Sequence, residues 1–403
     1  MTEQQFYSRH PASSGGRQGR PIWQYYVGII GLLLVMVIVL TGGIIWYNSK
    51  KSNELAIAAT ERMMVGAGED VSDRLKLLYD PMYAIVGIAS LVPEMTSPEI
   101  KDDARALALI LRVLRIYPQV LSLYVGFDTG DFFMVTHLAG EYSAALRAKL
   151  KAPPHAAFAN EITTADSGGD RKTRWVFLGE DGAVVGRLDP VTAEFDPRQR
   201  PWYDAAKRTD VVEQSDMYIF ATSGEPGFTL SRSFAGQAPG VIGADLTAAD
   251  LARFLGEQHI TPSSTAFIFT KTGEVIALPQ AARIAAALRP GDAQMLVAPP
   301  KIGYLNDPVI AGFVAAYENG RISGTRFYDV ADRTYAGRVV EIPPRYGRDQ
   351  LLAIIVPLDE IVKPITDIRN QTLLYSIGFL VFALPLYITL VLAWIDRRLG
   401  RSR

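Results

Sequence analysis

The sequence has no cysteine. Disulfides, thiolate nucleophiles and cysteine-ligated zinc are excluded together, and any external domain must be held by its core alone. Histidine is scarce: His10, His137, His155 and His259 are scattered, with no HExxH or paired spacing that would bind a metal. No metal site and no cofactor are expected. There is no GxSxG elbow and no phosphate-cradling glycine loop, so a membrane-anchored hydrolase has no nucleophile–base set behind it. A positive excess is missing as well. Lys and Arg number 41 against 42 Asp and Glu, a net charge of −1. That argues against a nucleic-acid partner, because neutralising phosphates takes a concentrated basic surface. With 49% hydrophobic and 21% charged residues over 403 positions, the chain is neither disordered nor a single small domain.

Charge is absent altogether between Arg20 and Lys50, where Val27 to Leu40 is almost continuously aliphatic. A run of that length crosses the hydrocarbon core as a helix. Trp23, Tyr25 and Tyr26 stand at one edge and Trp46 and Tyr47 at the other, as interfacial aromatics do. A second such run, about Leu373 to Trp394, lies between Arg369 and Asp396 and contains Pro385. The first run is longer than a signal h-region, follows a polar tail and shows no cleavage site, so it reads as an uncleaved anchor. Arg9, Arg17 and Arg20 before it, and Arg397, Arg398, Arg401 and Arg403 after the second, predict both termini in the cytoplasm. The expectation is a multi-pass protein of the inner (plasma) membrane, its main domain periplasmic or extracellular.

The external stretch of about 320 residues suits two modules. Leu55, Ala58, Ala59 and Met63, then Val71, Leu75, Leu78 and Met82, recur at helical spacing, with Pro81 and Pro93 predicted to kink and end the helix. Pro98-Glu99 opens a second helix through Arg115. Val120–Phe127, the turn Asp128-Thr-Gly-Asp131 and Phe132–Val135 read as a hairpin. The same shape recurs at Thr265–Thr270 and Val275–Leu278, which suggests two copies of one α+β module joined by a helix over Leu246–Gln258. Gly324–Val330, Arg333–Glu341 and Leu351–Pro357 read as closing strands. Asp166, Asp170 and Asp181 read as part of a polar loop.

The densest chemistry is Phe195-Asp-Pro-Arg-Gln-Arg-Pro-Trp-Tyr203. A guanidinium fork at Arg200 suits a carboxylate. Trp202 and Tyr203 offer aromatic faces and polar tips. An equally ready reading is a surface turn pinned by Trp202, with Arg198 or Arg200 paired to Asp196.

The string DPRQRPWY, residues 196 to 203, resembles the signature of double Cache sensor domains, the tandem PAS-like modules of bacterial receptors. Tyr218–Gly227, Val241–Leu246 and Leu352–Asp359 add to the resemblance, and their wording, with Tyr117–Tyr124, is most like the sensor halves of bacterial class III adenylate or guanylate cyclases. It implies an α+β fold with two tandem PAS-like antiparallel sheets on a long stalk helix, flanked by two transmembrane helices. The implied layout is a cytoplasmic tail 1–22, a membrane helix 23–47, a stalk 48–92, a distal module 93–246, a proximal module 247–368, a membrane helix 372–395 and a tail 396–403. It also implies a ligand carboxylate at Arg200 and Trp202 and an ammonium between Tyr203, Tyr218 and Asp245. Phe195 departs from the family, where amino-acid binders usually show Tyr.

Family members continue beyond the second membrane helix into an output domain, whereas nine residues follow Trp394 here. The expectation is therefore a non-enzymatic sensor for an amino acid, amine or carboxylate. It would act as a homodimer in the lipid bilayer and pass its signal to a separate cytoplasmic output protein. The alternative is a non-catalytic external scaffold for another membrane signalling protein.

Overall fold

The computed structural model describes residues 22–138, 143–165, 170–236, 238–279, 300–318 and 324–399. His10, Arg9, Arg17, Arg20, Asp166, Arg401 and Arg403 lie outside the described residues. The chain divides into two compact units, one comprising the described residues of Met1–Ala58 and Pro364–Arg403 and the other Ala59–Lys363.

The first unit holds the N-terminal part of helix α1 (Ile22–Ala89) and the C-terminal part of the last helix. Within it Val27–Ile44 is an uncharged 18-residue stretch with none of its surface buried, and at about 1.5 Å per residue it is long enough to cross a bilayer core. In the last helix the apolar stretch among the described residues is Leu384–Trp394, too short for a crossing by itself.

In the second unit, α1 lays a stripe of Met64, Val71, Leu75, Tyr79, Met82 and Val86 into the core, the spacing of one helix face. Pro81 lies inside the helix rather than ending it. Pro93 opens a separate turn, α2 (Pro93–Thr96), where a missing N–H costs nothing. A 3₁₀ turn over Pro98–Asp102 follows, and the next helix, α3 (Ala104–Ile116), starts later than Pro98 because Asp103 caps it, accepting from the amides of Arg105 and Ala106.

The first sheet has ten strands, all antiparallel: β1 (Ser122–Phe127), β2 (Phe132–His137), then, after α4 (Ser143–Leu150), β3 (Phe158–Ala165), β4 (Arg171–Leu178), β5 (Val184–Arg187) and β6 (Val191–Thr192). The short helix α5 (Pro201–Lys207) precedes β7 (Glu213–Gln214), β8 (Tyr218–Ile219), β9 (Pro226–Phe234) and β10 (Gly240–Thr247). The main order is β5-β4-β3-β2-β1-β10-β9-β7. The predicted polar loop is thus interrupted. Asp170 and Asp181 flank β4, in which exposed Lys172 and Arg174 alternate with buried Thr173 and Trp175.

After α6 (Ala248–Gly256), whose cap Thr247 accepts from the Asp250 amide at 2.9 Å, come β11 (Thr265–Thr270), β12 (Val275–Ala277), α7 (Pro308–Glu318), β13 (Thr325–Val330), β14 (Arg333–Glu341), β15 (Gln350–Pro357) and α8 (Leu358–Leu399). The second sheet runs β12-β11-β15-β14-β13. In both sheets the hairpin's first strand pairs with the last strand of that sheet, β1 with β10 and β11 with β15. The two hairpins visible in the sequence therefore hold equivalent places.

The first sheet is covered on both faces, so β1 is buried along its whole length. Leu123, Val125 and Phe127 join the cluster around α1 and α3, while Tyr124 joins a separate cluster with Met134, Trp175 and Trp202. This alternation sends every second side chain of β1 toward the site.

Candidate ligand-binding site

Register builds one wall of the site. Tyr124 stands opposite Met134 and Gly243, and Ser122 opposite Thr136 and Asp245. Thr229 of β9 is in turn opposite Asp245. Gly243 is required here. A Cβ at that position would lie 2.3 Å from the Tyr124 ring.

The DPRQRPWY segment lies over that wall. Asp196 caps a 3₁₀ turn over Pro197–Gln199, and Pro201 starts α5. Asp196 is taken by its neighbours: Arg198 donates Nε to Oδ1 at 3.0 Å and Nη2 to Oδ2 at 2.8 Å, and Arg171 adds an ion pair at 3.5 Å. The Arg198 hydrogen bond, with these cationic charges, holds the Asp196 carboxyl below the usual carboxylate range. Arg200 makes no ion pair among the described residues. Its Nη2 donates to the Ile219 carbonyl at 3.1 Å, and its plane lies over the rings of Tyr218 and Phe195 at 5.5 and 5.9 Å. Its Nε–H is buried with no acceptor. Of the two arginines one is structural and the other is held open.

Phe195, Arg200, Trp202, Tyr218 and Asp245 line one cavity, joined by Tyr124 and Ser122. Its volume is about 30 Å³, room for a water or two. Tyr203 is placed elsewhere: its hydroxyl donates to Asp128 and its ring lies beside Lys207, outside this cavity. Successive helical residues point in different directions, so Trp202 and Tyr203 cannot both face it.

Asp245 is 5% exposed. Its Oδ1 accepts from the hydroxyls of Tyr124 and Thr229, each at 2.6 Å, and Tyr218 donates to Thr229 at 2.6 Å. Burial pushes its carboxyl up to about 7, against those two hydrogen bonds and the charge of Arg200. The arrangement presents a carboxylate and a guanidinium on one cavity, neither in an ion pair among the described residues, which suits a ligand with both charges.

No family model matches the chain. In sequence it is 30% identical to adenylate cyclase 1 of Rhizobium meliloti over 252 residues, 62% of this chain and 37% of that protein. It is 27% identical to the methyl-accepting chemotaxis protein PctB of Pseudomonas aeruginosa over 109 residues, 26% of this chain and 17% of PctB. The chain thus spans little more than a third of the cyclase it matches and less of the receptor. Among solved structures it is similar to the sensory domain of the Campylobacter jejuni chemoreceptor Tlp3 with isoleucine bound, at 13% identity, 77% of this chain, 96% of that one and a TM-score of 0.45. In sequence the chain is thus similar to parts of a bacterial adenylate cyclase and of a chemotaxis receptor.

Sequence reasoning on the sensor missed Tyr124 and Thr229. Tyr124 lay in a strand already recognised, and the phase of that strand puts it on the same face as Ser122. Thr229 carries no such signal, since its role exists only through pairing with Asp245 across β9 and β10.

The close approach of the segment to the sheet is testable. A Cβ at Gly126 would meet Pro197 at 2.7 Å and Trp202 at 3.0 Å. Gly126→Ala is expected to lower stability by about 1–3 kcal/mol and to shift Trp202 fluorescence. An unchanged melting curve and spectrum would show that α5 is not seated on β1.

Proposed function

We propose that this chain is a membrane sensor whose distal module, about 93–246, binds a small α-amino acid or related amino-carboxylate outside the cytoplasm. The observation that carries this reading is the pairing, around one cavity, of Arg200 with an unmet buried N–H and Asp245, which forms no ion pair among the described residues. The ligand carboxylate would meet Arg200 and the Trp202 indole. Its ammonium would meet Asp245, with Tyr218 and Phe195 closing the sides. Tyr203 would support the segment through Asp128. The sequence similarity to a cyclase and a chemotaxis receptor supports a signalling role.

In this reading Val27–Ile44 is the first membrane helix and 372–395 the second. The proximal module, 247–368, leads back to the membrane, and a homodimer relays ligand occupancy to a cytoplasmic output. A ligand shifts that equilibrium only by its differential affinity for the two states.

The test is a thermal-shift panel of amino acids, amines and carboxylates on the full chain in detergent. A ligand at a hundred times its Kd is expected to stabilise the protein by about 2.7 kcal/mol. Analogues lacking either the ammonium or the carboxylate should do much less. If nothing in the panel moves the melting temperature, the scaffold reading replaces this one.

A further inference from the structure

A second space adjoins the Arg200–Asp245 cavity. It is a cleft of about 750 Å³ that shares Phe195, Arg200, Ala221 and Thr222 with the smaller cavity, and its lining includes Glu161 and Trp175. Glu161 is 4% exposed. It forms no ion pair among the described residues. Its one hydrogen bond is a long one, donated by the Thr222 hydroxyl to Oε2 at 3.3 Å. Lys149 lines the same cleft, but its ammonium goes to the Thr222 carbonyl at 3.4 Å. A buried carboxylate is costly without a cation. Glu161 stands directly across from Trp175 in the β3–β4 ladder, so an aromatic wall adjoins the carboxylate, a pairing that favours organic cations.

Resting on the reading above, we infer that the ligand is a basic α-amino acid, its side-chain cation held by Glu161 beside Trp175 while Arg200 and Asp245 take the backbone groups. The charges match: one guanidinium and two carboxylates without ion partners call for one anion and two cations. The spacing matches as well. Glu161 opposes Met134, which opposes Tyr124, which opposes Gly243, two residues before Asp245. The two acidic residues thus stand three strand spacings apart across the sheet and two residues apart along it, roughly 16 Å between backbones. Both side chains stand on the same face of the sheet, so their carboxyl groups stay well apart. Two cations held by these groups must sit far apart in one ligand, as in extended lysine or ornithine and not in alanine. Burial pushes Glu161 up to about 7, against the Thr222 hydrogen bond and the charge of Lys149, as expected of a carboxylate awaiting a cation.

The experiment compares lysine, ornithine and norleucine by calorimetric titration of the full chain. Norleucine keeps the length of lysine and lacks the terminal ammonium. The expected result is a preference for lysine or ornithine over norleucine of at least about tenfold, lost in Glu161→Gln while norleucine affinity stays within about threefold. Equal affinity of the wild-type chain for lysine and norleucine overturns the inference and leaves the amino-acid reading standing. That comparison needs no variant to fold. Failure of all three, with alanine and isoleucine also silent, overturns both.

Discussion

Arg200→Ala is expected to weaken amino-acid binding by about a hundredfold or more, because it leaves a ligand carboxylate desolvated with no partner. Arg198→Ala, two residues away, is expected to leave affinity within about threefold and to lower the melting temperature instead. The contrast follows from what each guanidinium touches. Arg198 folds back on Asp196 at 2.8 and 3.0 Å, whereas Arg200 spends one N–H on the Ile219 carbonyl and keeps Nε unmet in the buried space. Titration of both variants with a ligand found in the thermal panel separates the two roles. Equal losses would mean that the whole segment, and not one fork, makes the site.

Asp245→Asn should cost binding and add stability, and the gain should depend on pH. The folded carboxyl sits near 7, raised by burial, against about 3.9 in an unfolded chain. A raised folded value means that the protonated side chain favours the fold. That contribution is complete below the unfolded value and is lost as pH rises through about 7. Asparagine removes the ionisation and keeps an oxygen for Tyr124 and Thr229. The variant should therefore melt with the wild type near pH 4, gain steadily up to about pH 7 and level off, on the order of 5 °C above it. Ligand affinity of the wild type should fall about tenfold for each pH unit below 7, since the ammonium needs the ionised form. Melting curves of the two proteins from pH 4 to 9 without ligand test this, and coincident curves at pH 8 would remove the buried charge from the account.

Much of this was legible before any coordinates. The two hairpins, the connecting helix and the closing strands are short apolar runs bounded by turn residues, and local patterning marks such runs well. The aromatic-flanked run near the N-terminus declared itself by length. Strands β3 and β4 were harder, because Arg171, Lys172 and Arg174 put charge on a strand whose buried residues are spread out. The fork at Arg200 was legible, but that Arg198 is the one paired to Asp196 was left open between the two arginines, which are chemically identical and two residues apart, and only the place of Asp196 as a cap assigns it. Tyr203 was misdirected for a related reason, since the turn of α5 swings it toward Asp128. Glu161 had no motif around it. Its interest comes from being buried without a cation, a property of packing and not of local sequence.

The division of β1 between two clusters has an evolutionary corollary. Residues 123, 125 and 127 answer to the helices beneath the sheet, and residues 122 and 124 answer to the cavity on its other face. A lineage can therefore reshape that cavity by substitutions on one side of the sheet while the other stays as it is. Chains with this architecture should diverge in the lining of the cavity faster than in the skeleton beneath it.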